Sequence, residues 1–133
     1  MADAHLTDVS FTNLHLPESL ARGIADAGFE RCTPIQAQTL PRALAGFDVA
    51  GQAQTGTGKT AAFSLPSLHR LAADPQPRRN ASCRMLVLSP TRELAAQIAE
   101  NMRGYAKYLN LSVQCVFGGI PVGKQARALV GGT

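Results

Sequence analysis

The chain has 133 residues, 45% hydrophobic and 17% charged, which is one globular domain's worth and not a disordered chain. No apolar run approaches the roughly 20 residues of a membrane span, and residues 1–14 lack the basic start and apolar stretch of a secretion signal, so a cytoplasmic protein is expected rather than a transmembrane, secreted or fibrous one. The net charge of +4 is uneven: residues 1–77 carry 5 Lys/Arg against 7 Asp/Glu (−2), and residues 78–133 carry 8 against 2 (+6), a basic half that suits an anionic ligand or a solvated face.

In chain order, residues 17–27 set Leu20, Ile24 and Ala27 at helical spacing and stop at Gly28, which predicts a first helix. Thr33-Pro34-Ile35-Gln36 reads as the start of a second, with Thr at the N-cap and Pro at the first helical position. That helix is expected to end near Ala45 and Gly46. Residues 48–52 form a short strand candidate, followed by a glycine-rich turn and a helix over about 59–72. Residues 73–84 are polar, basic and Pro-containing, a surface loop. Met85-Leu86-Val87-Leu88 is apolar without alternation, the pattern of a strand buried on both faces. Residues 91–109 are the clearest helix, with Leu94, Ile98, Met102, Tyr105 and Leu109 on one stripe, and Tyr105 and Tyr108 are assigned to packing. Residues 113–117 make another strand candidate, and a last helix begins near Val122 and runs toward Val130. Strands and helices alternating through short connections predict an α/β fold, a parallel sheet with helices on both faces. The three cysteines, Cys32, Cys83 and Cys115, are far apart and lack metal-ligand spacing, so reduced thiols are expected, with Cys83 and Cys115 in core packing.

The strongest chemical signal is Ala53-Gln54-Thr55-Gly56-Thr57-Gly58-Lys59-Thr60, a Walker A pattern with Ala at the usual first Gly. It sits between a strand candidate and a helix. Its glycines let successive backbone N–H groups converge on phosphate oxygens, and the helix start adds partial positive charge. Lys59 is expected to reach the β- and γ-phosphates, and the Thr60 hydroxyl to ligate Mg²⁺. A plain strand-to-helix turn is the bland alternative.

Other candidates carry two readings. The Gln36 amide suits adenine, with acceptor and donors matching N6 and N7. Thr33-x-x-Gln36 is equally a capping box, which spacing alone favours. Phe11 suits stacking on a base or a place in the core. Pro90-Thr91-Arg92-Glu93 opens the long helix, where Thr91, helix N–H groups and Arg92 suit a phosphate; an N-cap with a first-turn acid accounts for the same residues. Gly118-Gly119 permits close backbone approach to a sugar-phosphate chain, or makes an ordinary turn. Lys124 and Arg127 add attraction or a solvated face.

Taken together these segments resemble the DEAD-box RNA helicases. Residues 28–36 are similar to the family's Q motif, 53–60 to motif I, Pro90-Thr91-Arg92-Glu93-Leu94-Ala95 to motif Ia, and Gly118-Gly119 to the GG motif. The resemblance runs from about Phe11 onward. His5-Leu6-Thr7, residues 32–37 and Val49-Ala50-Gly51-Gln52 look most like bacterial RhlB-type members, with an RhlE-type member as the alternative. It implies a P-loop, RecA-like lobe, with a Q-motif region over about 9–37. Gln36 then takes the adenine role, Phe11 the adenine-stacking role, and residues 53–60 bind ATP with Mg²⁺ on Thr60. Pro90, Thr91, Arg92, Gly118 and Gly119 then hold RNA by its backbone, with little sequence preference.

The same resemblance implies what is not here. The last Asp is Asp74, and no apolar strand ends in an acid that would help hold Mg²⁺. The family's D-E-A-D, S-A-T and Ib motifs and its second RecA-like lobe lie outside the sequence. The expectation is therefore the first part of a helicase's ATP-binding lobe, residues 1–133. In the whole protein, ATP closes two lobes around RNA and unwinds short duplexes, with an RNA-degrading assembly as an implied partner. The alternatives are a non-catalytic nucleotide- or RNA-binding module and an unrelated P-loop ATPase or kinase.

Overall fold

The structure is a computed structural model that describes residues 5–77 and 82–133. Five helices form: α1 Glu18–Asp26, α2 Pro34–Leu44, α3 Lys59–Ala73, α4 Arg92–Tyr105 and α5 Val122–Leu129. All five lie where the apolar spacing and caps predict them. α4 ends short of Leu109 because the chain tightens there, with the Lys107 N–H donating to the Gly104 carbonyl and the Leu109 N–H to the Ala106 carbonyl. The expected loop over 73–84 includes residues 78–81, which lie outside the described residues.

α2 packs along α3, α1 along α4, and α3 meets α4. Leu20 and Ile24 of α1, Leu40 of α2, Leu65 and Leu68 of α3, and Ile98, Met102 and Tyr105 of α4 share one core. Each of α2 and α3 also holds an interior proline, Pro41 and Pro66. Such a proline costs an isolated helix about 3 kcal/mol, so these two helices depend on packing against each other rather than on propensity. Burial pushes both the Cys32 thiol and the Tyr105 hydroxyl up from their ordinary pKa values, as befits core residues.

A feature that the sequence reading leaves out comes before α1. Residues 7–11 run antiparallel to 30–32, with the Thr7 N–H donating to the Cys32 carbonyl (2.8 Å), Cys32 N–H to Val9 (2.8 Å) and Phe11 N–H to Glu30 (3.2 Å). A short 3₁₀ turn, Phe11–Leu14, follows. The polar–apolar alternation of Thr7-Asp8-Val9-Ser10-Phe11 is the signal for this strap.

The three strand candidates behave differently from expectation. Among the described residues no strand ladder forms, and the sole bridge is Ser10 with Arg31 in the strap. Residues 85–88 and 113–117 nevertheless alternate as strands do: Met85, Val87 and Val113 pack on the core, while Leu86, Leu88 and Val116 point outward. Leu86 is 75% and Leu88 84% exposed, so the expectation of burial on both faces fails for this segment. The physical reason is visible between the segments. A largely apolar groove of about 390 Å³, lined by Met85, Val87, Val113 and Cys115, separates them, and a ladder needs a neighbour within about 4.8 Å. Among the residues that line this space, Thr133 bonds to the backbone of both segments' neighbourhoods. Its N–H donates to the Ser82 carbonyl (2.9 Å), its carbonyl accepts from the Arg84 N–H (3.4 Å), and its hydroxyl donates to the Ser112 carbonyl (2.9 Å).

Candidate functional site

The glycine-rich loop 53–58 emerges between α2 and the start of α3. Gly56 and Gly58 take left-handed backbone (φ 80° and 87°), which turns the chain so that α3 starts at Lys59. α3 has no side-chain cap and no acid in its first turn, so the positive end of its dipole is left open toward the loop. The Thr57 hydroxyl donates to the Gln54 carbonyl (2.6 Å), and the Lys59 ammonium donates to the Ala53 carbonyl (2.5 Å), folding Lys59 back over the loop. Both bonds close the loop on itself through the Gln54 and Ala53 carbonyls. That open helix end fits a phosphate.

Behind the loop, Gln36 is fully buried. Its Oε1 accepts from the Thr33 backbone N–H (2.9 Å) and its Nε2 donates to the Gly58 carbonyl (3.1 Å). The amide therefore serves the start of α2 and the phosphate loop together. The reciprocal half of the capping box is loose, and the Thr33 hydroxyl is buried with no partner among the described residues. Gly58 has no room for a side chain here: a Cβ would lie 2.3 Å from Gln36 Nε2 and 3.2 Å from Thr33 Oγ1. A carboxamide has two N–H groups and two lone-pair sites, so one of each remains for another partner.

Phe11 lies deeper than a base-stacking role requires. It is 6% exposed, and its ring packs at 60° on Phe29, which in turn meets Tyr105 edge-on. The Thr60 hydroxyl makes no hydrogen bond among the described residues, and no group of three His, Cys, Asp or Glu gathers there to hold a metal. A divalent cation at Thr60 would take one protein oxygen and complete its shell from phosphate and water. Asp74 caps the far end of the 15-residue α3, about 22 Å from Lys59 at the helical rise, and pairs with Arg84.

The candidate RNA residues of the second half lie at the start of α4 and in the turn before α5. Thr91 is the N-cap, its hydroxyl accepting from the Leu94 N–H (3.2 Å), so the local reading of this residue holds. Pro90, Thr91 and Arg92 are all exposed, as are Gly118 and Gly119. The Arg92 guanidinium packs on Gly119: a Cβ there would lie 2.5 Å from Arg92 Nη2, and the residue has φ 74°. Two residues 27 positions apart thus meet, an arginine side chain on a glycine backbone. Lys124 and Arg127 remain on the exposed side of α5, with Arg127 Nε on the Gly123 carbonyl.

Tyr108 departs from a packing role. Its hydroxyl donates to Asp26 (2.6 Å), Lys107 pairs with the same carboxylate (3.3 Å), and the Arg22 guanidinium lies 4.3 Å from the ring centre. The Tyr108 hydrogen bond, then that of Lys107, holds the Asp26 carboxyl below its ordinary pKa, and Asp26 in turn raises Lys107. Sequence spacing does not show this tie, since its partners are about 80 residues apart.

An open helix end behind a glycine-rich turn, with a lysine folded over it, defines a P-loop domain. The comparisons take this further. The DEAD/DEAH box helicase family matches residues 33–133, and the chain belongs to that family. It is 49% identical over 131 residues to the ATP-dependent RNA helicase RhlB of Xanthomonas axonopodis pv. citri, covering 97% of this chain and 23% of that protein. It is 43% identical over 119 residues to the ATP-dependent RNA helicase RhlB of Pseudoalteromonas atlantica, covering 90% of this chain and 28% of that one. Among solved structures, the RNA helicase Prp28 of Chaetomium thermophilum bound to ADP superposes with a TM-score of 0.77 at 34% identity, covering 95% of this chain and 30% of that one. The likeness supports a RecA-like fold, and the chain spans about a quarter of the length of these relatives. Among the described residues no helix is long and apolar enough to cross a membrane.

Proposed function

We propose that this chain is the nucleotide-gripping part of the ATP-binding lobe of a cytoplasmic ATP-dependent RNA helicase. The observation that carries the reading is the Gln36 amide, joined at once to the start of α2 and to the carbonyl of Gly58 in the phosphate loop. Its remaining donor and acceptor match the N6 and N7 edge of adenine. In this reading Gln36 reads the base. Phe11 stacks on the base, and Ala53 to Thr60 hold the phosphates with Mg²⁺ on Thr60. Pro90, Thr91, Arg92, Gly118 and Gly119 grip an RNA backbone, for which the Arg92–Gly119 contact is the support. The RhlB relatives carry the activity in their names, and the Prp28 structure holds an adenine nucleotide.

The finer architecture belongs to the same proposal. Residues 82–88 and 113–117 are strands of a parallel sheet, and the groove between them takes a further strand in the line that Thr133 begins. Thr133 bonds to Ser82 and Arg84 on either side of Cys83, which is the spacing of one parallel rung. In the whole protein, a second RecA-like lobe and an acidic Mg²⁺ ligand complete the ATPase, and an RNA-degrading assembly is the partner to test.

The test is a titration of the full-length protein with fluorescent ADP and GDP. Adenine is expected to bind at least about tenfold tighter, and Lys59→Ala to abolish binding of either. Equal affinity for the two bases would remove the helicase reading and leave a general P-loop protein. A second reading, a non-catalytic binding module, draws on the distance of Asp74 from the loop. RNA-stimulated ATP turnover by the full-length protein would exclude it.

A further inference from the structure

The turn at Gly118–Gly119 is held by a side chain to which neither the family resemblance nor the site residues gave a role. Gln125, half-buried on α5, faces back toward the turn. Its Oε1 accepts from the Phe117 N–H (2.7 Å), and its Nε2 donates to the Phe117 carbonyl (3.0 Å) and to the Ile120 carbonyl (3.4 Å). One carboxamide thus pairs with both backbone groups of the residue before the two glycines and with the carbonyl of the residue after them. This is what a neighbouring strand would do for Phe117, done by a side chain.

Two further facts give the clamp a consequence. Gly118 and Gly119 are exposed and have no side chains to order them, so the turn's shape depends on its anchors. Gly119, at φ 74°, presents its open face to the Arg92 guanidinium. Moving the turn therefore moves the floor on which Arg92 rests.

We propose that Gln125 is a positioning residue for RNA: it pre-orders the Gly118–Gly119 backbone and, through Gly119, the Arg92 guanidinium, for a sugar-phosphate chain. This rests on the RNA reading above. Gln125 itself carries no charge and touches no ligand. It lowers the cost of binding because the turn is already in place when RNA arrives.

The experiment compares wild-type full-length protein with Gln125→Met, which keeps length and bulk and removes the hydrogen bonds. Affinity for a short fluorescent poly-U strand is measured across a salt series, beside affinity for fluorescent ADP. The expected result is an RNA affinity loss of about tenfold. ADP affinity and the slope of RNA affinity against salt stay unchanged, because no phosphate-neutralising charge is lost. Arg92→Ala, by contrast, lowers that slope. Unchanged RNA binding by Gln125→Met would overturn the proposal, as would parallel loss of RNA and ADP binding, the mark of a general structural role. Hydrogen exchange on the wild-type protein is a second check independent of any variant: the Phe117 amide should be protected, and exchange at the rate of an open loop would overturn the clamp. A wild-type protein that binds ADP but no RNA would instead sink the RNA reading beneath it.

Discussion

The extended segments at 82–88 and 113–117 are more apolar in sequence than the α2–loop–α3 region, yet only the latter is closed. α2 and α3 hydrogen-bond along most of their own length and place Leu40, Leu65 and Leu68 in the core, with Gln36 bonded to Gly58 at their junction. The extended segments bury one side, through Met85, Val87 and Val113, and leave Leu86 and Leu88 in the open beside a groove. A helix finds its hydrogen-bond partners four residues away, whereas a strand must borrow them from another segment. The helical region is thus self-sufficient in its hydrogen bonds, and the extended segments are not.

Substitutions can sharpen that contrast. The largest effect is expected from Leu65→Ala, at the fully buried seam of α3. About 2–5 kcal/mol of stability should disappear, seen as a lower urea midpoint with unchanged slope. Gly58→Ala follows. A Cβ there collides with Gln36 Nε2 on a left-handed backbone, so stability should fall by about 1–3 kcal/mol. ADP affinity should fall with it, in the same titration that tests Lys59.

A smaller effect belongs to the exposed tie between α1 and α4. The folded-state pKa of Asp26 is depressed, so its contribution is complete above the unfolded value of about 3.9 and is lost as pH falls through the folded one. Lys107 is raised, so its share is complete below about 10.4 and is lost as pH climbs through its folded value. Asp26→Asn should flatten the stability profile on the acid side while leaving the Leu65 seam intact, which thermal melts from pH 2 to pH 6 would read. The smallest effect is expected at the open segments: Leu88→Ala should change stability by no more than about 0.5 kcal/mol. A change comparable to that of Leu65→Ala would mean that this face is covered and that the two regions do not differ.

The helices and their ends were legible in the sequence because each signal is local. Thr33 and Pro34 start α2, Thr91 starts α4, and the glycines of the phosphate loop precede α3 by fixed offsets. The order of those motifs also made the family legible. Local signals equally explain what misled: the apolar run 85–88 reads as doubly buried because pattern alone does not say whether a second layer is present.

Contacts between distant residues were decided by tertiary structure alone. Spacing sets adenine reading against a capping box for Gln36; the fold makes the Thr33 bond and adds a bond to Gly58, 22 residues on. It sinks the Phe11 ring onto Phe29, seats Arg92 on Gly119, and turns Gln125 back onto Phe117. These pairings depend on how whole helices dock, and docking is set by the shape of the shared core rather than by any one segment. By itself, the sequence determined which helices form and which family the chain belongs to. Which side chains meet was decided only when α1 to α5 packed together.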